Sequence, residues 1–175
     1  MTALDTCAQL LEELRGGNRA IRCVHDDLLH LRRHCDLPVD VIVCMGDTLT
    51  HVASMASVEQ LLEEISRALK PAGVFVATFR NYEARALEGV GRFIPVRQDD
   101  QRILTCFLEY GETTVTVYDV LHERADVGWT LRVSSYSKLR LSPEWAQSKL
   151  TRLGLVARLE NGPNGMIRLV ATRPG

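Results

Sequence analysis

Two apolar, β-branched segments separated by an amphipathic helix constrain the fold of this chain most strongly. Residues 39–45 (VDVIVCM) and 74–79 (VFVATF) each follow a proline or a glycine, which is typical of strands covered on both faces in a parallel sheet. Between them, a capping box of Ser57 and Gln60 precedes an apolar stripe at helical spacing. The stripe consists of Val58, Leu61, Leu62, Ile65 and Leu69. This order predicts a right-handed βαβ unit and therefore an α/β fold with a doubly wound sheet.

A shorter helix and strand precede this unit. Thr6 and Gln9 form another capping box, and Gly16 and Gly17 mark the end of a helix. Residues 20–24 (AIRCV) predict a short strand, which a polar turn follows at residues 25–27. The first half of the chain therefore alternates strands and helices.

The second half changes to the two-residue alternation of antiparallel strands. Residues 103–110, 113–123 and 129–136 alternate in this way and are separated by turn residues, so we expect a meander. A helix then begins at Ser142 and Pro143 and ends at Gly154. Residues 155–159 and 166–171 flank a turn-rich segment, which predicts a terminal hairpin.

Composition excludes several classes of function. The chain has 175 residues with 21 Lys+Arg against 22 Asp+Glu, so it lacks a basic field and we expect no nucleic-acid partner. No apolar run approaches the ~20 residues of a membrane span, and the first residues lack the pattern of a signal peptide. The five cysteines are scattered without a Cys-x-x-Cys pair, which indicates reduced thiols. We therefore expect a cytoplasmic protein without membrane contact.

Several segments together resemble one enzyme family. Asp5 and Asp27 each close a predicted strand, and residues 40–51 (DVIVCMGDTLTH) and 69–76 (LKPAGVFV) contain the next two strands. In this order, and with the closing hairpin, they resemble class I S-adenosylmethionine-dependent methyltransferases over essentially the whole chain. Residues 44–51 and 79–82 (FRNY) are similar to the small-molecule branch that includes glycine and sarcosine N-methyltransferases.

The resemblance implies a Rossmann-like doubly wound sheet with a C-terminal antiparallel hairpin and an inserted antiparallel β meander. It implies one domain over residues 1–175, with cofactor-side βα units at 1–85, the meander at 86–140, and the last helix and hairpin at 141–175. The family opens with a strand and a glycine-rich loop, and nothing like them precedes Asp5. In the family this first strand lies between the second and the fourth. We expect an N-terminally truncated chain; the alternatives are that the second strand re-pairs directly or that another chain fills the gap.

The resemblance implies S-adenosylmethionine as the cofactor. Asp5 would accept hydrogen bonds from the ribose hydroxyls, and the alternative is a carboxylate that stabilises the start of the following helix. Asp27 would accept a bond from the exocyclic amine of adenine while the Leu28 amide meets a ring nitrogen. The alternative there is a turn in which Asp26 bonds its own backbone.

Three further residues follow the strand at 39–45, where ligands collect beyond the carboxyl ends of an open sheet. In the family this segment passes the methionine part of the cofactor, so Met45, Gly46 and His51 are candidate cofactor contacts. Met45 is equally consistent with ordinary core packing, and His51 with a polar residue near a helix.

The resemblance also implies methyl transfer to a small molecule, preferably at an amine or amino-acid nitrogen. Arg80 would hold the carboxylate of the acceptor, and the alternative is a solvated arginine at a strand end. Asp47 stands where this branch has an amide residue, and its carboxylate could attract a cationic acceptor or raise its basicity. Tyr82 could orient either group or pack in the core. The alternative function is a non-catalytic fragment or subunit that cannot bind cofactor alone.

We expect no metal site. His30 and His34 lie four residues apart beside Cys35, so they share a helix face, but no acidic ligand set or second cysteine pair accompanies them. Tyr136 and Lys138 are too close in sequence for the Tyr-x-x-x-Lys pair of a dehydrogenase, and no Gly-x-Gly-x-x-Gly motif follows a strand. The sequence is also compatible with a homo-oligomer.

Overall fold

A computed structural model describes residues 1–17, 20–36, 38–84 and 86–175. The strands are β1 (Thr2–Asp5), β2 (Arg22–His25), β3 (Val39–Cys44), β4 (Leu69–Phe79), β5 (Phe93–Gln98), β6 (Arg102–Tyr110), β7 (Thr114–Arg124), β8 (Trp129–Leu139), β9 (Val156–Asn161) and β10 (Ile167–Thr172). The helices are α1 (Ala8–Gly17), α2 (Leu31–His34), α3 (Met55–Ala68) and α4 (Pro143–Arg152). None of these helices combines the length and the apolar character that crossing a bilayer requires.

The strands of the described residues form three sheets. β1 and β2 pair in parallel, and a four-stranded sheet runs in the order β3-β4-β10-β9, in which β3 and β4 are parallel and β10 is antiparallel to both of its neighbours. β5 to β8 form an antiparallel meander in chain order. The predicted α/β class, the C-terminal antiparallel hairpin and the inserted meander are confirmed.

The continuous doubly wound sheet is divided at β3, which pairs only with β4 among the described strands. Val41 and Val43 are 60% and 62% exposed, so the prediction that this strand is covered on both faces is wrong. Ile42 and Cys44, on the other face, pack against the main core. The apolar run is thus explained by one buried face and by β-branched residues that favour an extended backbone on the other.

The main hydrophobic core lies between α3, α4 and one face of the four-stranded sheet. Its fully buried members include Leu62, Ile65, Phe75, Phe79, Leu150 and Leu169. α3 begins three residues earlier than predicted, because Ser54 rather than Ser57 is the N-cap and its Oγ accepts the Ser57 amide N–H at 3.1 Å. The helical stripe is confirmed from Val58 to Ile65, and it packs α3 onto β4.

Of the other two predicted helix starts, that of α1 is wrong and that of α4 is confirmed. α1 begins at Ala8, and the Oδ1 atom of Asp5 accepts the Cys7 amide N–H at 2.7 Å, so the capping box at Thr6 is wrong. α4 confirms its prediction, because the Ser142 Oγ accepts the Trp145 amide N–H at 3.1 Å and Pro143 occupies the first helical position. Its end is followed by Gly154, whose φ of +86° is the left-handed conformation that glycine favours.

The turn predicted at residues 71–73 belongs to β4 in the structure. β4 starts at Leu69, which pairs with Val39, and the register between β3 and β4 shifts before Val41. A Cβ atom at Gly73 would lie 2.8 Å from the carbonyl oxygen of Lys70. Only glycine fits this close approach of two backbone segments.

The meander contains one strand more than predicted. β5 was missed because its residues are all exposed and include Pro95, so the sequence lacks a clear alternation of buried and exposed positions. A second hydrophobic cluster consists of Tyr82, Leu108, Val115 and Val117, and it attaches the meander to the segment after β4. The division of the chain at residues 85 and 140 remains a prediction.

We predict that Leu62→Ala lowers the free energy of unfolding by about 2–5 kcal/mol, because it leaves a cavity in a fully buried position of α3. Leu10→Ala, in α1, is the matched control, since Leu10 is 54% exposed and its truncation should change stability by about 0.5 kcal/mol or less. Urea denaturation of both variants measures the difference. Equal losses would contradict the assignment of the core.

Candidate functional site

A cavity of about 230 Å³ lies beyond the carboxyl ends of β1 and β2. Four of the predicted cofactor contacts line it: Asp5 from the end of β1, Asp27 and Leu28 from the turn after β2, and His51 from the segment after β3. Parallel strands present their carboxyl ends at one edge of a sheet, and the register pairs Asp5 with His25. The residues that the sequence singled out at separate strand ends therefore meet around one space.

The Asp5 carboxylate is bound at one of its two oxygens. Oδ1 accepts the amide N–H of Cys7 at 2.7 Å, at the start of α1. Oδ2 has no hydrogen-bond partner among the described residues. The helix-stabilising role considered from the sequence is thus present, and it leaves the second oxygen able to accept a bond from a ligand hydroxyl.

The neighbouring aspartates, Asp26 and Asp27, differ in their surroundings. Asp26 accepts the Asp27 amide N–H at 2.8 Å and lies 2.9 Å from Nδ1 of His30 and 2.6 Å from Nε2 of His34. These bonds, chiefly those with the two histidines, hold the pKa of Asp26 well below its ordinary value. Asp27 accepts the Leu29 amide N–H at 2.9 Å and lines the cavity. The Asp26 carboxylate is therefore bound by the two histidines, and Asp27 is the carboxylate that lies beside the cavity.

Two left-handed residues turn the chain after β3. Gly46 has a φ of +73° and Asp47 a φ of +78°, and the Gly46 amide N–H donates to the Thr78 Oγ1 at 2.9 Å. The turn brings His51 to the cavity, while Met45 is half-exposed and, like Gly46, is not part of the cavity lining. Of the three candidates after this strand, only His51 thus reaches the same space as Asp5.

Asp47 is the centre of a buried polar cluster and is only 3% exposed. Its Oδ2 accepts bonds from the Lys138 Nζ at 2.5 Å and from the Tyr82 hydroxyl at 3.2 Å, and its Oδ1 accepts the Arg80 amide N–H at 2.8 Å. Burial acts to raise the pKa of Asp47, but the bonds from Arg80 and Lys138 outweigh it and hold the pKa below the ordinary value. Burial, together with the Asp47 charge, raises the pKa of Tyr82.

This arrangement differs from the prediction that the Asp47 carboxylate binds the substrate. The oxygens of Asp47 are engaged by protein donors, and Tyr82 is buried beside it. Arg80, by contrast, is about half exposed at the end of β4. Its Nη1 donates to the Asn164 carbonyl at 3.3 Å, and its Nε lies 4.0 Å from the Asp47 Oδ2. Of the three predicted substrate contacts, Arg80 is the one whose side chain is open to a ligand.

Lys138 and Tyr136 lie beside Asp47 and His51, a proximity that the sequence does not reveal. The Tyr136 ring lies 5.3 Å from the His51 ring, and the Lys138 Nζ lies 5.7 Å from the Tyr136 ring. Burial, followed by the neighbouring charge of Lys138, lowers the pKa of His51. Residues two apart in a strand share a face, which was the available signal, but the sequence does not show what that face meets.

Part of this chain is similar in sequence to known methyltransferases. Residues 1–77 match a family model described as a methyltransferase domain. A glycine/sarcosine N-methyltransferase of Aphanothece halophytica is 26% identical over 87 residues, which cover 50% of this chain and 33% of that protein. The corresponding enzyme of Halorhodospira halochloris is 32% identical over 79 residues, which cover 45% and 30%. The matches thus span about a third of the length of these curated relatives.

Solved structures extend the comparison to the whole chain. CalS10, a SAM-bound amino pentose methyltransferase of Micromonospora echinaspora, has a TM-score of 0.84 at 16% identity and is matched over 98% of this chain and 73% of its own. An S-adenosylmethionine-dependent methyltransferase of Clostridium acetobutylicum has a TM-score of 0.80 at 17% identity, with 99% and 75% covered. The chain has the class I S-adenosylmethionine-dependent methyltransferase fold. The resemblance identified from the sequence is confirmed.

In this methyltransferase fold the candidate residues lie at the carboxyl ends of four strands, β1 to β4. The carboxyl ends of β1 and β2 carry the cavity, while those of β3 and β4 carry Asp47 and Arg80. The His51 ring touches Tyr136 of β8. The meander thus meets the sheet where the open α/β folds bind their ligands.

We predict that Asp47→Asn lowers the free energy of unfolding by about 3–5 kcal/mol, because it leaves the buried Lys138 ammonium without a counter-charge. Asparagine tolerates the left-handed backbone of this position, so the backbone adds little to the loss. Asp40→Asn is the control, since the exposed pair of Asp40 with Lys70 should contribute about 0–1 kcal/mol.

The same variant has a pH signature. Because the pKa of Asp47 is lowered in the folded chain, its charge contributes stability above the ordinary value of 3.8, and this contribution is lost as the pH falls through the lowered value. The stability difference between the wild type and Asp47→Asn should therefore shrink below pH 3.8. A difference that is constant from pH 7 to pH 3 would show that folding does not lower the pKa of Asp47.

Proposed function

We propose that this chain takes part in S-adenosylmethionine-dependent methyl transfer to the nitrogen of a small-molecule amine or amino acid. The observation that carries this proposal is that Asp5, Asp27, Leu28 and His51 line the same cavity beyond adjacent strand ends. Supporting it are the fold and the match of residues 1–77 to a methyltransferase domain. The curated relatives, named glycine/sarcosine N-methyltransferases, favour a nitrogen acceptor.

The residues around the cavity fit the adenosine part of the cofactor. The Oδ2 of Asp5, which accepts no hydrogen bond from the described residues, would accept one from a ribose hydroxyl, and Asp27 would accept one from the exocyclic amine of adenine. Leu28 and Val52 offer apolar surface to the base. When bound, S-adenosylmethionine supplies a methyl group on a sulfonium, which is electrophilic without covalent activation by the protein. The task of this chain is therefore to position the acceptor and to exclude water.

The acceptor would lie between the sheet and the meander. Lys138, bound to Asp47, joins β8 to the turn after β3, so the meander adjoins the His51 end of the cavity. The half-exposed guanidinium of Arg80 provides donors for the carboxylate of an amino acid. A near-neutral chain of this kind suits a small substrate better than a nucleic acid.

A second candidate function follows from the division of the sheet. β1 and β3 are not paired with each other in the described chain, although both contribute segments to the cavity wall. Such a chain could serve as a subunit or remnant that does not hold the cofactor alone. Calorimetric titration with S-adenosylhomocysteine separates the two functions, because absence of binding at millimolar ligand would refute the enzyme and leave the subunit.

We predict that Asp5→Asn weakens S-adenosylhomocysteine binding roughly ten- to hundredfold, the loss expected when a charge-assisted bond of about 1.5–3 kcal/mol is removed. Asparagine can still accept the Cys7 amide N–H at the start of α1. The helix should therefore remain intact while the acceptor for the ribose is lost.

The matched control is Asp40→Asn, near the start of β3 and paired only at the surface with Lys70. It should leave the dissociation constant unchanged in the same calorimetric titration. Unaltered binding by Asp5→Asn would show that this carboxylate does not hold the ribose.

We predict that Arg80→Ala raises the KM for glycine or sarcosine roughly tenfold or more, because an ion-paired hydrogen bond to the acceptor carboxylate is lost. The affinity for S-adenosylhomocysteine should stay the same. Arg97→Ala removes an exposed arginine paired with Asp99 in β5 and should change neither quantity. A KM unaffected by Arg80→Ala, with the wild type active, would refute the anchor.

A further inference from the structure

Asp119 lies in the middle of β7, on the face of the meander that carries Lys138. The register places Asp119 opposite Cys106 of β6 and Ser134 of β8. Ser134, Tyr136 and Lys138 are spaced two residues apart along β8, so they share one face. Lys138 binds Asp47 from that face, and Asp47 lies just beyond the carboxyl end of β3. The face of the meander that carries Asp119 is therefore the one directed at the carboxyl ends of the four-stranded sheet.

No lysine, arginine or histidine nitrogen of the described residues is paired with the Asp119 carboxylate within 4.0 Å. Among the described residues, its side chain accepts one hydrogen bond, from the Cys106 thiol at 2.9 Å. A thiol is a weak donor, and burial together with Asp119 raises the pKa of this thiol to about 12, so it stays protonated. Asp47, Glu123 and Glu160, by contrast, each have an arginine or lysine nitrogen within 4.0 Å.

Asp119 is half-buried, so the lack of a paired cation among the described residues costs free energy. Removing part of the hydration of a carboxylate costs free energy that one weak donor does not recover. A cation bound from outside the chain would recover it. The Tyr136 ring, one pleat from Ser134 and 36% exposed, offers a π face that attracts ammonium groups.

Tyr136 also relates this carboxylate to the cavity. Its ring lies 5.3 Å from the ring of His51, which lines the space beyond β1 and β2. The pKa of the Tyr136 hydroxyl is raised to about 12, chiefly by burial and next by the negative charge of Asp119. A cation held between Asp119 and Tyr136 would therefore lie on the meander side of His51.

We propose that Asp119 and the Tyr136 ring bind the amine of the methyl acceptor. This assignment rests on the proposed function and specifies its substrate as a small aliphatic amine. The carboxylate binds the ammonium form, and it equally accepts an N–H hydrogen bond from the neutral amine, which is the nucleophilic form. Because an ammonium group is charged and an alcohol is not, Asp119 would bind amines in preference to alcohols, and it would hold the positive end of a zwitterion whose carboxylate lies toward Arg80.

The test is a titration of the full chain with dimethylammonium chloride, followed by amide chemical shifts in NMR spectra at constant ionic strength. It is run with and without saturating S-adenosylhomocysteine. Asp119→Asn should weaken binding of the ammonium probe at least roughly tenfold. Glu109→Gln is the matched control, because Glu109 lies on the opposite face of the meander and pairs with Tyr118, and it should leave binding unchanged.

A second variant distinguishes a loss of binding from a loss of folding. Asp119→Glu keeps the charge and should retain part of the affinity that Asp119→Asn loses, with both unfolding midpoints recorded. Equal affinity of the wild type and Asp119→Asn, or no saturable binding to the wild type, would overturn the assignment. Calorimetry with S-adenosylhomocysteine is independent of Asp119, so failure of the proposed function appears there and failure of the amine site appears in the ammonium titration.

Discussion

The buried ion pair between Asp47 and Lys138 holds the two halves of this molecule in register. Asp47 stands in a left-handed turn after β3, and Lys138 comes from β8 of the meander. Removing two charges from water is costly, so such a pair contributes little net stability. What it contributes is geometry, because the carboxylate also accepts the Arg80 amide and the Tyr82 hydroxyl. The position of the meander over the ligand edge of the sheet depends on this pair.

The half of the site around the cavity could be predicted from the sequence because strand ends are local features. Asp5 and Asp27 each follow a short apolar segment, and parallel strands deliver their carboxyl ends to a common edge. The structure accordingly places both around one cavity with Leu28 and His51. The closing hairpin and α4 were predictable for a similar reason, since Ser142, Pro143 and Gly154 mark boundaries through their own backbone chemistry.

The other half could not be predicted because it depends on contacts between distant segments. Asp47 and Lys138 are 91 positions apart, and no local pattern reveals which face of the meander meets which sheet. Asp47 was therefore expected to face a substrate when it faces a lysine. The two-sided cover predicted for β3 was wrong for a related reason: β-branched residues favour a strand whether or not a neighbour packs on them, as the exposed Val41 and Val43 show.

Among the described strands β3 is paired on one side only, by β4, and its other edge affects the behaviour of the protein at high concentration. An unpaired strand edge offers a row of amide and carbonyl groups to any extended chain that approaches it, and the exposed Val41 and Val43 make such an approach favourable. The exposed ion pair of Asp40 with Lys70 lies at the start of this strand, and charged side chains at an edge disfavour such pairing. Colloidal stability of the purified chain will therefore vary with salt, which screens these charges, and with acidity, which protonates Asp40.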